Sequence, residues 1–339
     1  MKTRIVDCSE ESLRLAAGLI KQGETVAFPT ETVYGLGANA FDSDAVKKIF
    51  VAKGRPADNP LIVHICDLSM IGDIASEIPQ LAYELAERFW PGSLTMIMPK
   101  SEKLPAVTSG GLDTVGIRYP SHPAARRLIW LSGVPIAAPS ANLSGRPSPT
   151  SAARVYEDLN GRIPAVIDGG DSEVGLESTV ICFEGNNVRI LRPGVITPEM
   201  LGEVCGVTVD PGVLKELEED IAARSPGMKY KHYAPHAQVI ILRGNALRFA
   251  EYVRKNALQG DWCLLFDGTE DVGGVPYICY GSKPHEQAHR LFEALRELDE
   301  RGAMRVFARC PETDGIGLAV YNRILRASGF YIMDLEVLK

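Results

Sequence analysis

Residues 25–60 constrain the fold of this chain more than any other stretch. They read Thr25-Val-Ala-Phe-Pro-Thr-Glu-Thr-Val-Tyr-Gly-Leu-Gly37 and, past a helical segment, Ala52-Lys-Gly-Arg-Pro-Ala-Asp-Asn-Pro60. Residues 25–28 are β-branched and aromatic and stop at Pro29, the pattern of a short buried strand. Thr30, Glu31, Thr32 and Tyr34 follow at once, where an α/β sheet presents polar groups to a ligand. Asp42 or Ser43 then caps a helix over 45–52, which Gly54 closes. Lys53 and Arg55 flank that glycine, and Pro56 and Pro60 stiffen what comes next. A strand-end loop and a rigid basic loop facing one cavity suit an anionic substrate.

Gly35-Leu-Gly37-Ala-Asn-Ala40 also fits the dinucleotide fingerprint G-x-G-x-x-A, with Asp58 as a candidate acidic partner. In that motif the glycines open the helix directly, whereas the capping signal here falls later, at Asp42. Asp58 sits between prolines in a loop and not at the end of a second strand. The fingerprint is set aside, and the two glycines read as a tight turn.

The chain has 339 residues, enough for two domains, and its net charge is −7. An acidic chain is a poor binder of nucleic acid through bulk charge, although a local basic concavity and weak RNA contact stay open. The N-terminus is too polar for a signal peptide and no apolar run reaches membrane-spanning length, so a cytoplasmic protein without membrane contact is expected. Seven scattered cysteines without a Cys-x-x-Cys pair suit reduced thiols.

Strand and helix signals interleave through residues 1–205, which predicts one α/β domain with a twisted, mixed sheet. Residues 206–235 break the pattern. They contain Ser225-Pro-Gly-Met-Lys-Tyr-Lys-His-Tyr-Ala-Pro235, whose Tyr230 and Tyr233 suit an ordered linker that packs into a groove or covers the site. Residues 236–339 alternate strand and helix, as in a smaller parallel α/β domain of Rossmann-like layout without a glycine-rich phosphate loop.

Four loop-associated cations recur in the first domain: Lys53, Arg55, Arg118 and Arg192, each beside a proline or glycine turn. Hydroxyls recur at comparable places, at Thr30, Thr32, Ser140 and Ser178. Any one cation alone reads as a surface salt bridge. Together they support an anion pocket, with arginine forks suited to carboxylate or phosphate oxygens. His285-Glu-Gln-Ala-His289 matches the zinc-protease pattern H-E-x-x-H. Pro284 puts His285 in the first helical turn, however, and no third ligand follows, so no metal site is expected.

With these residues in view, the chain resembles the threonylcarbamoyl-AMP synthases, YrdC-like proteins, in the long form with an added C-terminal domain. The matching motifs are Pro29-Thr-Glu-Thr-Val-Tyr-Gly-Leu, Lys53-Gly-Arg55 with Asn59-Pro-Leu, Ser140-Ala-Asn142, Ser178-Thr-Val, Arg192-Pro-Gly and the linker from Ser225 to Pro235. The resemblance implies synthesis of L-threonylcarbamoyladenylate from L-threonine, bicarbonate and ATP, with release of pyrophosphate. The product would pass to the downstream tRNA-modifying threonylcarbamoyl transferase machinery. By the same resemblance Thr32, His64, Arg118, Ala138 and Ser178 would hold threonine. Arg55, Asn59, Thr114, Ser140, Asn142, Ser148 and Arg192 would hold ATP, with Tyr230 or Tyr233 covering it. Lys53 and Arg55 would offset charge repulsion during catalysis, and magnesium would bridge the leaving pyrophosphate. The competing reading is a non-catalytic RNA-binding module.

Overall fold

A computed structural model describes residues 2–215, 233–268 and 271–337. Tyr230 and the rest of 216–232 lie outside the described residues. The expected first strand is Val26–Phe28, buried throughout, and it pairs antiparallel with Gly35–Asn39, Ala27 opposite Leu36. Gly35-Leu-Gly37 is thus a strand, not the tight turn read from sequence. The glycine at 37 answers to packing: a Cβ there would lie 2.5 Å from Ile136 Cγ2 and 2.7 Å from Phe28 Cε1. Gly37→Ala is expected to cost about 1–3 kcal/mol through overpacking. Denaturant unfolding checks this, and an unchanged midpoint would contradict it.

The first domain carries an eleven-stranded mixed sheet among the described residues. From edge to edge it runs Arg4–Val6, Ala165–Ile167, Val26–Phe28, Gly35–Asn39, Ile136–Ala138, Ile62–His64, Thr114–Arg118, Leu94–Pro99, Thr179–Glu184, Asn187–Arg192 and Gly206–Val209. Parallel and antiparallel neighbours both occur, as at Ile62–His64, which pairs parallel with Thr114–Arg118 and antiparallel with Ile136–Ala138. The last strand falls past residue 205, where the linker was expected to begin. It pairs parallel with Asn187–Arg192, so the sheet continues to Val209. The edge strand Arg4–Val6 and the helix Ala152–Leu159 carried too short a signal to be anticipated.

Helix Glu10–Lys21 starts where Ser9 accepts from Ser12 N, and buries Leu13, Ala16, Ala17 and Ile20 at helical spacing against helix Pro123–Ser132. Helix Ser43–Lys53 decides the site. Asp42 Oδ1 accepts from Asp44 N at 2.9 Å and Ala45 N at 3.1 Å, and Gly54 ends the helix at φ 63°. Ala45, Val46, Ile49, Phe50 and Ala52 form its buried face, and Lys53 is buried at its C-terminus.

The C-terminal domain is a five-stranded sheet in the order Tyr277–Cys279, Asp261–Leu265, Arg305–Arg309, Gln238–Arg243 and Ile332–Asp334, parallel throughout. The Rossmann-like expectation holds, with the last strand unanticipated. Helix Ala246–Asn256 packs on one face, and Pro284–Glu300 and Gly315–Ala327 on the other. The two domains share a core. Val33 and Leu176 of the first belong to the apolar cluster of Tyr233, Phe292 and Val320. Buried Asp158 pairs with Arg296 of the C-terminal domain at 2.9 Å and with Arg146 at 2.7 Å.

Candidate active site

A cleft opens at the loop after strand Val26–Phe28. Its walls gather Thr32, Lys53, Arg55, His64, Arg118, Ala138, Ser140, Asn142, Ser178, Arg192 and Tyr233 from widely separated segments. The four cations singled out in the sequence therefore share one cavity. Asn59, Thr114 and Ser148 are not in its lining. Asn59 is buried, its Oδ1 without a hydrogen-bond partner among the described residues. Thr114 opens its strand opposite Pro99. Ser148 stands behind the wall and donates to Glu177 Oε1 at 2.5 Å.

Loop 30–33 is held by its own side chains. Thr30 Oγ1 donates to Val33 O at 2.5 Å and lies 2.9 Å from Thr32 Oγ1. Glu31 turns away to anchor Arg118, whose Nη2 donates to Glu31 Oε1 at 2.5 Å; Ser93 Oγ and Ser121 N also donate to that carboxylate. Burial alone would raise the Glu31 carboxyl, but the Arg118 charge and these hydrogen bonds prevail and hold it below its ordinary range.

Buried Lys53 directs Nζ at three carbonyl oxygens: Ser140 O, Asn142 O at 2.5 Å and Asn142 Oδ1 at 3.3 Å. An ammonium has three donors, so the lysine braces the loop after strand Ile136–Ala138 as well as charging the cleft. Burial first, then the Arg55 charge, pull its pKa well below the ordinary lysine range, and the three acceptors, which only an ammonium can all satisfy, oppose them and hold it charged. Arg192 Nε donates to Ser178 O at 3.0 Å and Nη2 to Ser178 Oγ at 3.1 Å, while Thr95 Oγ1 lies 2.7 Å from the same hydroxyl. Burial pulls Arg192 down to about 10, so it stays charged at neutral pH.

His64 is buried, with Nδ1 3.1 Å from Ile62 O. Burial, and next the Arg118 charge, push it down to about 3. The imidazole is therefore expected to remain neutral from about pH 5 to 8. Because its folded pKa lies below the unfolded value of about 6.5, its contribution to stability is complete above that value. It drains away as pH falls toward 3. Ring NMR shifts through a pH titration check this, and a midpoint near 6.5 would contradict it.

Tyr34, marked in the sequence with the strand-end loop, lines the cleft, as do polar residues the sequence did not mark, among them Ser144, Arg146 and Glu177. Arg146 follows a glycine and precedes a proline, so the signal that marked the other cations was present. Glu177 directly precedes Ser178, but nothing in sequence marks a carboxylate as buried. Glu31 and Glu177 are each committed to an arginine, Arg118 and Arg323. Among the described residues no group of three His, Cys, Asp or Glu could hold a metal. These donors do not fit a resident magnesium ion. His285 and His289 are exposed on their helix, and His289 Nδ1 lies 2.9 Å from Glu173 O.

Residues 18–194 match the Sua5/YciO/YrdC family model, described as Telomere recombination. Residues 196–329 match Threonylcarbamoyl-AMP synthase, C-terminal domain. The threonylcarbamoyl-AMP synthase of Pyrococcus abyssi is 48% identical over 332 residues, covering 96% of each chain. That of Bacillus subtilis is 45% identical over 345 residues, covering 97% of this chain and 99% of its own. The crystal structure of P. abyssi Sua5 complexed with L-threonine superposes with a TM-score of 0.92 at 47% identity, over 98% of this chain and 99% of that one. On these matches and the two-domain fold, the chain belongs to the threonylcarbamoyl-AMP synthase family, in the long form with a C-terminal Sua5 domain.

Proposed function

We propose that this chain condenses L-threonine, bicarbonate and ATP to L-threonylcarbamoyladenylate and pyrophosphate, for threonylcarbamoyl modification of tRNA. The observation that carries the reading is the convergence of Lys53, Arg55, Arg118 and Arg192 on one cleft with the hydroxyls of Thr32 and Ser178. A long-form relative that matches nearly the whole chain binds L-threonine. Threonine occupies the end near Thr32, His64, Arg118, Ala138 and Ser178. The nucleotide lies along Arg55, Ser140, Asn142 and Arg192, with Tyr233 at its edge.

The threonine amine attacks the carbon of bicarbonate with loss of water, or attacks the carbon dioxide derived from it with loss of a proton, and either route gives a carbamate. A carbamate oxygen then attacks the α-phosphorus as the bond to pyrophosphate breaks. The threonine carboxylate, the carbamate and the triphosphate are all anionic, so the dominant obstacle is mutual repulsion. Buried cations offset it in a cleft where charge is poorly screened. Lys53 contributes its charge and holds Ser140 and Asn142, while Arg55 and Arg192 face the phosphates. Neutral His64 lets the threonine end bind without adding another cation beside Arg118. Magnesium, not fitted by the protein's own donors, would enter with the triphosphate as part of the substrate. Holding the reactants in line is a positioning task.

Pyrophosphate release tests the reading when threonine, bicarbonate and ATP are omitted in turn. Release is expected only with all three, and release indifferent to threonine or bicarbonate would overturn it. No observation favours the RNA-binding module, since these cations lie within a cleft and the chain is acidic overall.

A further inference from the structure

We propose that Arg323, on helix Gly315–Ala327 of the C-terminal domain, is a positioning residue for the nucleotide end of the cleft, acting through Glu177. The inference rests on reading the cleft as an ATP site. Arg323 is fully buried. Its Nε donates to Glu177 Oε2 at 2.8 Å, its Nη2 to Pro193 O at 3.0 Å and its Nη1 to Asn322 Oδ1 at 2.8 Å. The guanidinium also lies 5.7 Å from the Tyr233 ring centroid. Glu177 and Tyr233 both line the cleft, and Pro193 directly follows Arg192. One side chain from the second domain thus holds the first at Glu177 and Pro193 and faces Tyr233.

Glu177 is a buried carboxylate in a cavity meant for anions, and it must find a cation or lose its charge. Burial would raise its pKa, but the Arg323 charge first and the Arg192 charge second keep it ionised. The direct ion pair goes to Arg323, while Arg192 is engaged with Ser178. Arg323 therefore takes the direct pair with Glu177 from behind, and Glu177 draws less on the Arg192 charge that faces the cleft. Without Arg323, the carboxylate draws on Arg192, and a triphosphate meets a weaker field and a displaced wall. In this long-form chain the C-terminal domain completes the nucleotide end of the active site.

The test compares the full-length wild type with Arg323→Met, Arg323→Lys and the double variant Arg323→Met/Glu177→Gln in steady-state pyrophosphate release. Arg323→Met is expected to raise KM for ATP by about tenfold or more, with a much smaller change in kcat and in KM for threonine. Arg323→Lys should fall between it and the wild type. The double variant should recover most of the lost ATP affinity, because the uncompensated carboxylate is gone. A merely structural arginine would give no such split and no such rescue. If Arg323→Met does not fold, the folded double variant decides: KM for ATP near wild type supports the inference, and a raised one overturns it. A folded Arg323→Met with unchanged KM for ATP overturns it alone. A wild type without ATP-dependent turnover removes the synthase reading and this inference together.

Discussion

Lys53→Ala is expected to lower kcat/KM by about 10² to 10³, the usual cost of removing one preorganised electrostatic group from a reacting centre. Two effects combine. The cleft loses a buried positive charge, and the carbonyl oxygens of Ser140 and Asn142 lose their donor. The second effect should also lower stability, by about 1–3 kcal/mol for buried acceptors left unmade. Lys53→Met keeps most of the aliphatic stem and separates packing from charge. Steady-state kinetics and denaturant unfolding on both variants check the prediction. Normal turnover in either would take Lys53 out of the mechanism.

Removing Arg118 should be the most damaging change to the fold at the site. Its ion pair with Glu31 is buried on both sides, and Glu31 also anchors Ser93 and Ser121. Breaking a buried pair from one side leaves an uncompensated charge, and Arg118→Met is expected to destabilise by about 3–5 kcal/mol. Where the variant folds, KM for threonine should rise by about 10- to 100-fold, from the loss of a charged hydrogen bond to the substrate carboxylate. Glu31 also contributes to acid sensitivity, with the buried Asp158 and Glu177 carboxylates. Its folded pKa is depressed, so its stabilising contribution is complete above the unfolded carboxylate range and lost as pH falls through the folded value. Urea unfolding measures the loss, and an Arg118→Met midpoint like the wild type's would contradict it.

Local chemistry made much of this legible in sequence. Asp42, Gly54 and the apolar spacing between them specified a helix that leaves Lys53 at its inner end. The prolines and glycines beside Arg55, Arg118 and Arg192 marked cations held in fixed places, and the three do meet. What was hidden is what depends on distant partners. Gly35–Asn39 reads as a turn because its glycines suit one; it becomes a strand by pairing with Val26–Phe28 and Ile136–Ala138, and Phe28 and Ile136 leave no room for a side chain at position 37. Gly206–Val209 has no periodicity long enough to notice, and Asn187–Arg192 recruits it to the sheet edge. Glu177 and Arg323 lie 146 residues apart, and no local pattern couples them.

One cavity has to hold an amino acid and a nucleotide side by side. The most direct measurement is a crystal structure with L-threonine and a non-hydrolysable ATP analogue. The expected density puts the threonine carboxylate toward Arg118 and the phosphates against Arg55 and Arg192, with Lys53 still bracing Ser140 and Asn142. Nucleotide bound elsewhere, with those side chains turned to solvent, would contradict it.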